Sequence, residues 1–205
     1  YTIPSGKFYG NNLPGFSVVV VQAAVTGARP DKIMNQISGL RLAEPYHRAA
    51  DIERLFSACF YDDFRTRLAG DAVEPLYAPA AQPGEDHVVY YRQDYFASAL
   101  HEIAHWCLAG AERRSQVDYG YWYHEGPRTP AQQLAFERVE ARPQALEWVF
   151  SSAAGSTFHL SHDNLECAFT DPASTHRFAL AVLQQVGEFC RRGLPSRARQ
   201  FIEAL

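Results

Sequence analysis

The sequence holds only four cysteines, one methionine and no excess of basic residues. Cys59, Cys107, Cys167 and Cys190 include no C-x-x-C pair. Cys59, Cys107 and Cys190 fall on apolar or helical stretches, where a thiol behaves as a small hydrophobe. A disulfide framework is therefore not expected, and a reducing, cytoplasmic setting is. Lysine and arginine together number 19 against 23 acidic residues, a net charge of −4. That balance argues against nucleic acid or an anionic membrane surface as the main partner. The arginines cluster only locally, at Arg113-Arg114, Arg191-Arg192 and Arg197/Arg199. These clusters read as solvated faces, with an acidic protein partner as the alternative. No apolar run is long enough to span a bilayer. The Val18-Val19-Val20-Val21 run is short and lacks the charged leader of a secretory signal.

What is present is an apolar, aromatic-rich chain, 47% hydrophobic, which suffices for one real core in a single domain with an appendage. Residues 1–43 are rich in Gly, Pro, Asn and Ser and weak in helical periodicity, so they read as an N-terminal extension. Met34 is the expected natural start, with the preceding stretch lying upstream of it. Residues 44–205 read as the folded domain. Ile52, Leu55, Phe56, Cys59 and Phe60 recur at helical spacing and predict an amphipathic helix over 46–60. A loop through Pro75, Pro79, Pro83 and Gly84 follows. His87 to Tyr91 is a β-prone run. A helix is predicted over 95–109, stopped by Gly110. Tyr119 to Tyr123 is a second β-prone run. Thr129-Pro130 predicts a helix start, with Thr129 as N-cap and Pro130 in the first position. Pro143 is expected to kink that helix or to begin a new segment. Phe178, Ala179, Val182, Val186 and Phe189 mark a last long helix ending near Gly193.

The chemistry gathers at His101-Glu102-Ile103-Ala104-His105, an HExxH motif. Imidazoles four residues apart on a helix project from one face, one turn apart, and can reach one divalent ion. Glu102 between them can lean toward a metal-bound water. Phe96, Leu100, Ile103 and Cys107 form the apolar stripe that docks the helix, with the histidines beside it. The competing reading is a pair of ordinary helical histidines. A third ligand is sought on the helix after Thr129, where Glu137, Glu140, Gln144 and Glu147 form a regular stripe. Most of that stripe reads as a solvated face. Glu140 is the chosen ligand, because it precedes the break at Pro143; Glu137, one turn earlier, is the runner-up. His124, His159, His162 and Asp163 read as surface or turn residues. Asp118, Tyr119, Tyr121, Trp122 and Tyr123 either wall the approach to the metal, flanking a cationic amine, or fill the core. Trp106 and Trp148 read as core residues.

The segments His101 to Cys107, Val117 to Tyr123, Phe136 to Glu140, Arg142 to Trp148, Asp163 to Glu166 and Pro195 to Leu205 resemble, in order, the bacterial elongation factor P hydroxylase family. The resemblance covers the chain from about 46 to the C-terminus and leaves the extension uncovered. It implies an α+β fold with helices around a small sheet, similar to zinc peptidases in its metal site. It implies hydroxylation of a β-lysylated lysine of elongation factor P by a non-haem iron monooxygenase. It further implies His101, His105 and Glu140 as metal ligands. Two histidines and a carboxylate with open positions suit Fe(II) oxygen chemistry, but they also suit zinc, which purified material can carry. A zinc peptidase of the HExxH-plus-Glu type, with Glu102 as general base, is the alternative. In a hydroxylase Glu102 orients water or receives a substrate amine. No arginine stands out as the partner of a co-substrate carboxylate.

Overall fold

A computed structural model describes residues 48–121, 128–161 and 172–205. The extension, Met34, Cys167, Trp122, Tyr123, His124, His162 and Asp163 lie outside the described residues.

The chain begins with α1, Ala49–Phe64, four residues longer at its end than its periodicity suggested. It buries Ile52, Phe56 and Phe60 on one face. Arg65, in the left-handed conformation with φ 46°, ends the helix and turns the chain directly into β1, Thr66–Ala72. β2, Leu76–Ala78, sits inside the proline-rich loop, and β3, His87–Arg92, matches the predicted strand. The sheet order is β1-β3-β2, with β3 parallel to β1 and antiparallel to β2. β1 and β2 correct the loop reading.

The register of β1 on β3 shifts between Ala69 and Ala72. A Cβ on Gly70 would lie 2.7 Å from both the Gln93 carbonyl oxygen and the Tyr91 hydroxyl. Only glycine fits so close an approach. Glu53 on α1 anchors the bulge: its Oε1 accepts from the Gly70 amide at 3.0 Å and the Tyr91 hydroxyl at 2.8 Å.

β3 runs almost directly into α2, Phe96–Leu108, the helix of the HExxH motif. Leu100, Ile103 and Cys107 are buried and Phe96 packs against the core, as the apolar stripe required. Trp106 is fully buried among Phe56, Phe60 and Phe64, with ring centroids 4.8–5.3 Å apart. Trp148 is half-buried and stacks on Phe158.

α2 ends without a glycine cap. Arg114 donates to the Ala109 carbonyl at 2.7 Å, and Arg197 donates to the carbonyls of Cys107 and Ala109. Two guanidiniums thus satisfy the free carbonyls at the negative end of the helix dipole. Arg197 also lies 4.5 Å over the Trp106 ring. These two arginines are half-buried structural groups, which corrects their reading as a solvated face.

Two short 3-10 turns, Arg113–Ser115 and Val117–Gly120, follow. The second takes the place of the start of the predicted strand: Asp118 and Tyr119 both adopt left-handed backbone, with φ 49° and 58°. That costly pair is held by the sheet edge, where Asp118 Oδ1 accepts from the Tyr77 amide at 2.8 Å. It carries the buried Tyr119 ring against Tyr77, 4.5 Å away and 10° from parallel.

α3, Pro130–Ala153, opens with the predicted Thr129 cap, completed as a capping box by Gln132. It continues as one helix through Pro143, so no new segment begins there. Proline removes one backbone bond, and packing on α2 and on α4, Pro172–Arg192, carries the helix across it. α5, Ser196–Ala204, closes the core with Phe201 against Phe60 and Phe150. Helices around a small mixed sheet make the fold α+β, as expected. Among the described residues no helix is long and apolar enough to cross a membrane.

Candidate metal centre

The largest correction concerns α3. Gln133, Glu137, Glu140, Gln144, Glu147 and Ser151 recur at alternating spacings of four and three, and all are buried. The stripe is no solvated face. Buried carboxylates need partners, and neighbouring elements supply them. Glu137 accepts from Ser174 at 2.7 Å and from Arg177 at 3.2 Å, both on α4. Gln144 donates to the Ser161 carbonyl and accepts from the Ser161 amide. Glu140 and Glu147 face the two histidines of α2.

The helical spacing of four brings His101 and His105 together, with Nε2 atoms 3.1 Å apart. Glu140 Oε2 lies 3.4 Å from each of them. Among the described residues His101, His105 and Glu140 form a group able to hold a metal ion. Bonds of about 2.0–2.2 Å to one divalent ion put neighbouring donors roughly 3.0–3.4 Å apart, so the triangle already has the required size. Behind it, Glu147 Oε2 lies 2.8 Å from His101 Nδ1. A carboxylate there accepts a hydrogen bond from Nδ1–H and leaves the Nε2 lone pair facing the centre. Donor atoms converging in this way are satisfied only by a shared cation, either a proton or a metal ion.

The electrostatics agree. Burial pushes the His101 imidazole toward neutrality, but Glu140 and Glu147 outweigh it and hold its pKa well above the ordinary value. Burial alone would raise the Glu140 carboxyl; His105 and His101 hold it well below the usual carboxylate range. Glu102 goes the other way. Burial raises its pKa against the pull of the two imidazoles, with Glu140 and Asp118 adding to the rise. Glu102 thus shares the electrostatic environment of the centre, although among the described residues no hydrogen bond ties it down.

The site has two approaches. The His101 side chain is 24% exposed, whereas those of His105 and Glu140 are about 5% exposed. On the His105 side lies a cavity of about 310 Å³. Tyr121 of the aromatic segment lines it, while Tyr119 stacks near-parallel to His105, with centroids 6.3 Å apart. Tyr119 therefore belongs to the core, and among the described residues of that segment Tyr121 belongs to the wall. Glu137 instead meets Ser174 and Arg177 of α4, and His159 is exposed, apart from the cluster. What sequence reasoning missed is the part of Glu147 as the partner of His101 Nδ1. Its signal was available: the α3 stripe carries acids and amides but no lysine or arginine, unlike an exposed helix face, where charges of both signs mix.

Residues 55–205 match the family described as elongation factor P hydroxylase. The elongation factor P lysine hydroxylase of Haemophilus influenzae is 42% identical over 159 residues, which cover 78% of this chain and 88% of that protein. By both comparisons, the chain belongs to the elongation factor P hydroxylase family.

Proposed function

We propose that this protein hydroxylates the β-lysylated lysine of elongation factor P in the cytoplasm, with His101, His105 and Glu140 holding a non-haem Fe(II) ion. The observation that carries the proposal is the donor triangle of 3.1, 3.4 and 3.4 Å in a chain of this family. Three ligands on one side leave positions open for oxygen and substrate, an arrangement suited to iron. The bound ion supplies the oxygen activation that no side chain provides. The protein's own residues do the rest. Glu147 keeps the proton on Nδ1 of His101, so that Nε2 is available to the ion. Glu102, half-buried beside the exposed edge of His101, presents a carboxyl to the arriving cationic lysine. Tyr119 and the α2 core fix His105 against rotation.

A zinc peptidase uses the same ligand types, but family membership favours the hydroxylase. The test is oxygen dependence. Protein prepared metal-free is mixed anaerobically with excess Fe(II), as ligand and electron source, and β-lysylated elongation factor P. Admission of oxygen is expected to add one oxygen atom to the factor, read by intact mass. Zinc under nitrogen is expected to support neither that gain nor cleavage of a peptide. Peptide cleavage with zinc would overturn the reading.

A further inference from the structure

The cavity on the His105 side carries a charge that a lysine substrate does not explain. It is lined by His105, Tyr121, Val139, Pro143 and two arginines, Arg113 and Arg142. Arg113 lies 4.3 Å over the Tyr121 ring and Arg142 lies 5.5 Å from the Phe189 centroid. Aromatic contact holds a guanidinium in place while leaving its N–H edge available. Among the described residues neither guanidinium is paired with a carboxylate, whereas Arg177 and Arg191 are. Two such cations beside a metal site repel an ammonium group. The partly exposed His101 side chain, which does not line this cavity, suits the lysine better.

We infer that the cavity between Arg113 and Arg142 is a binding site for the carboxylate of a small organic anion, adjacent to the metal centre. A concave space of about 310 Å³ matches a small molecule. Arginine's planar fork matches a carboxylate in bidentate fashion. Val139 and Pro143 give the carbon skeleton an apolar floor. The inference goes beyond the hydroxylase reading, because anion capture follows from the guanidiniums and the cavity alone.

The test is calorimetric titration of the full-length, zinc-loaded protein with succinate and with 2-oxoglutarate. Zinc prevents turnover, so the result stands whatever reaction the enzyme performs. Saturable binding at about millimolar concentration or tighter is expected. Arg113→Gln and Arg142→Gln are each expected to weaken it about tenfold, while Arg138→Gln, exposed on α3 outside the cavity, leaves it unchanged. In the wild-type protein, added salt is expected to weaken binding, which reads the charge without any substitution. No saturation by either anion overturns the proposal, as does binding that neither cavity substitution affects. If neither anion binds and both variants instead weaken binding of elongation factor P, the guanidiniums meet acidic side chains of the protein substrate, and the small-anion site is wrong.

Discussion

Glu147 Oε2 sits 2.8 Å from Nδ1 of His101, across the packed helices α2 and α3. In the proposed centre this one contact orients the His101 imidazole, so that Nε2 faces His105 and Glu140. Replacing Glu147 with glutamine keeps an acceptor but removes the charge that strengthens the imidazole as a donor. Glu147→Gln is therefore expected to weaken metal binding about 10- to 100-fold, measured by competition with a chelator. Glu147→Ala is expected to weaken it at least as much.

Glu140 and Glu137 are one turn apart on α3 and meet different partners: Glu140 faces His101 and His105, and Glu137 faces Ser174 and Arg177. Glu140→Gln is expected to abolish stoichiometric metal binding, measured by metal analysis after dialysis. Glu137→Gln is expected to leave metal content unchanged. Its cost falls on folding, about 1–3 kcal/mol from the disturbed contacts with Ser174 and Arg177, read by urea unfolding. Loss of metal in the Glu137 variant would reverse the assignment.

The metal-free protein is expected to show a distinctive pH dependence. The folded state raises the His101 pKa above its unfolded value. The stability it contributes is fully present below about pH 6.5 and is lost as pH rises through the raised value. The folded state lowers the Glu140 pKa, so its contribution is present above about pH 4.3 and is lost as pH falls toward the lowered value. Thermal melts of metal-free protein are therefore expected to peak between about pH 4.5 and 6.5. Metal affinity runs the other way, rising with pH as the competing proton leaves.

The carboxyl end of the metal helix depends on Arg197. Arg197→Ala removes two hydrogen bonds to free carbonyls and the contact with Trp106. A loss of about 1–3 kcal/mol in urea unfolding is expected, with metal affinity little changed. An unaltered unfolding midpoint would show that water caps the helix equally well.

The parts of the fold read correctly from sequence were those set by local chemistry. The α2 stripe, the His87–Tyr91 run and the Thr129-Pro130 start each carry their signal within one or two turns of chain. β1 and β2 gave no such signal. β2 is three residues long, and β1 contains a glycine whose only reason is the close approach of Tyr91 and Gln93. Tyr119 to Tyr123 looks like a strand by composition, but at its start the bond from the Tyr77 amide to Asp118 holds Asp118 and Tyr119 in a left-handed turn. The candidate site was half legible. His101 and His105 follow from helical spacing alone, and Glu140 was chosen from its neighbours. The burial of Glu137, Glu140, Gln144 and Glu147 depends on Ser174, Arg177, Ser161 and two histidines distant in sequence, which no local pattern announces.

In the proposed reaction, oxygen from dioxygen enters the substrate lysine at the His101–His105–Glu140 centre. The direct measurement is intact mass of β-lysylated elongation factor P after reaction with Fe(II)-loaded protein under isotopically heavy dioxygen. The account predicts a gain of one heavy oxygen atom with the wild-type protein and none with His101→Ala or Glu140→Ala. A product carrying ordinary oxygen from water, or full labelling in both variants, would contradict it.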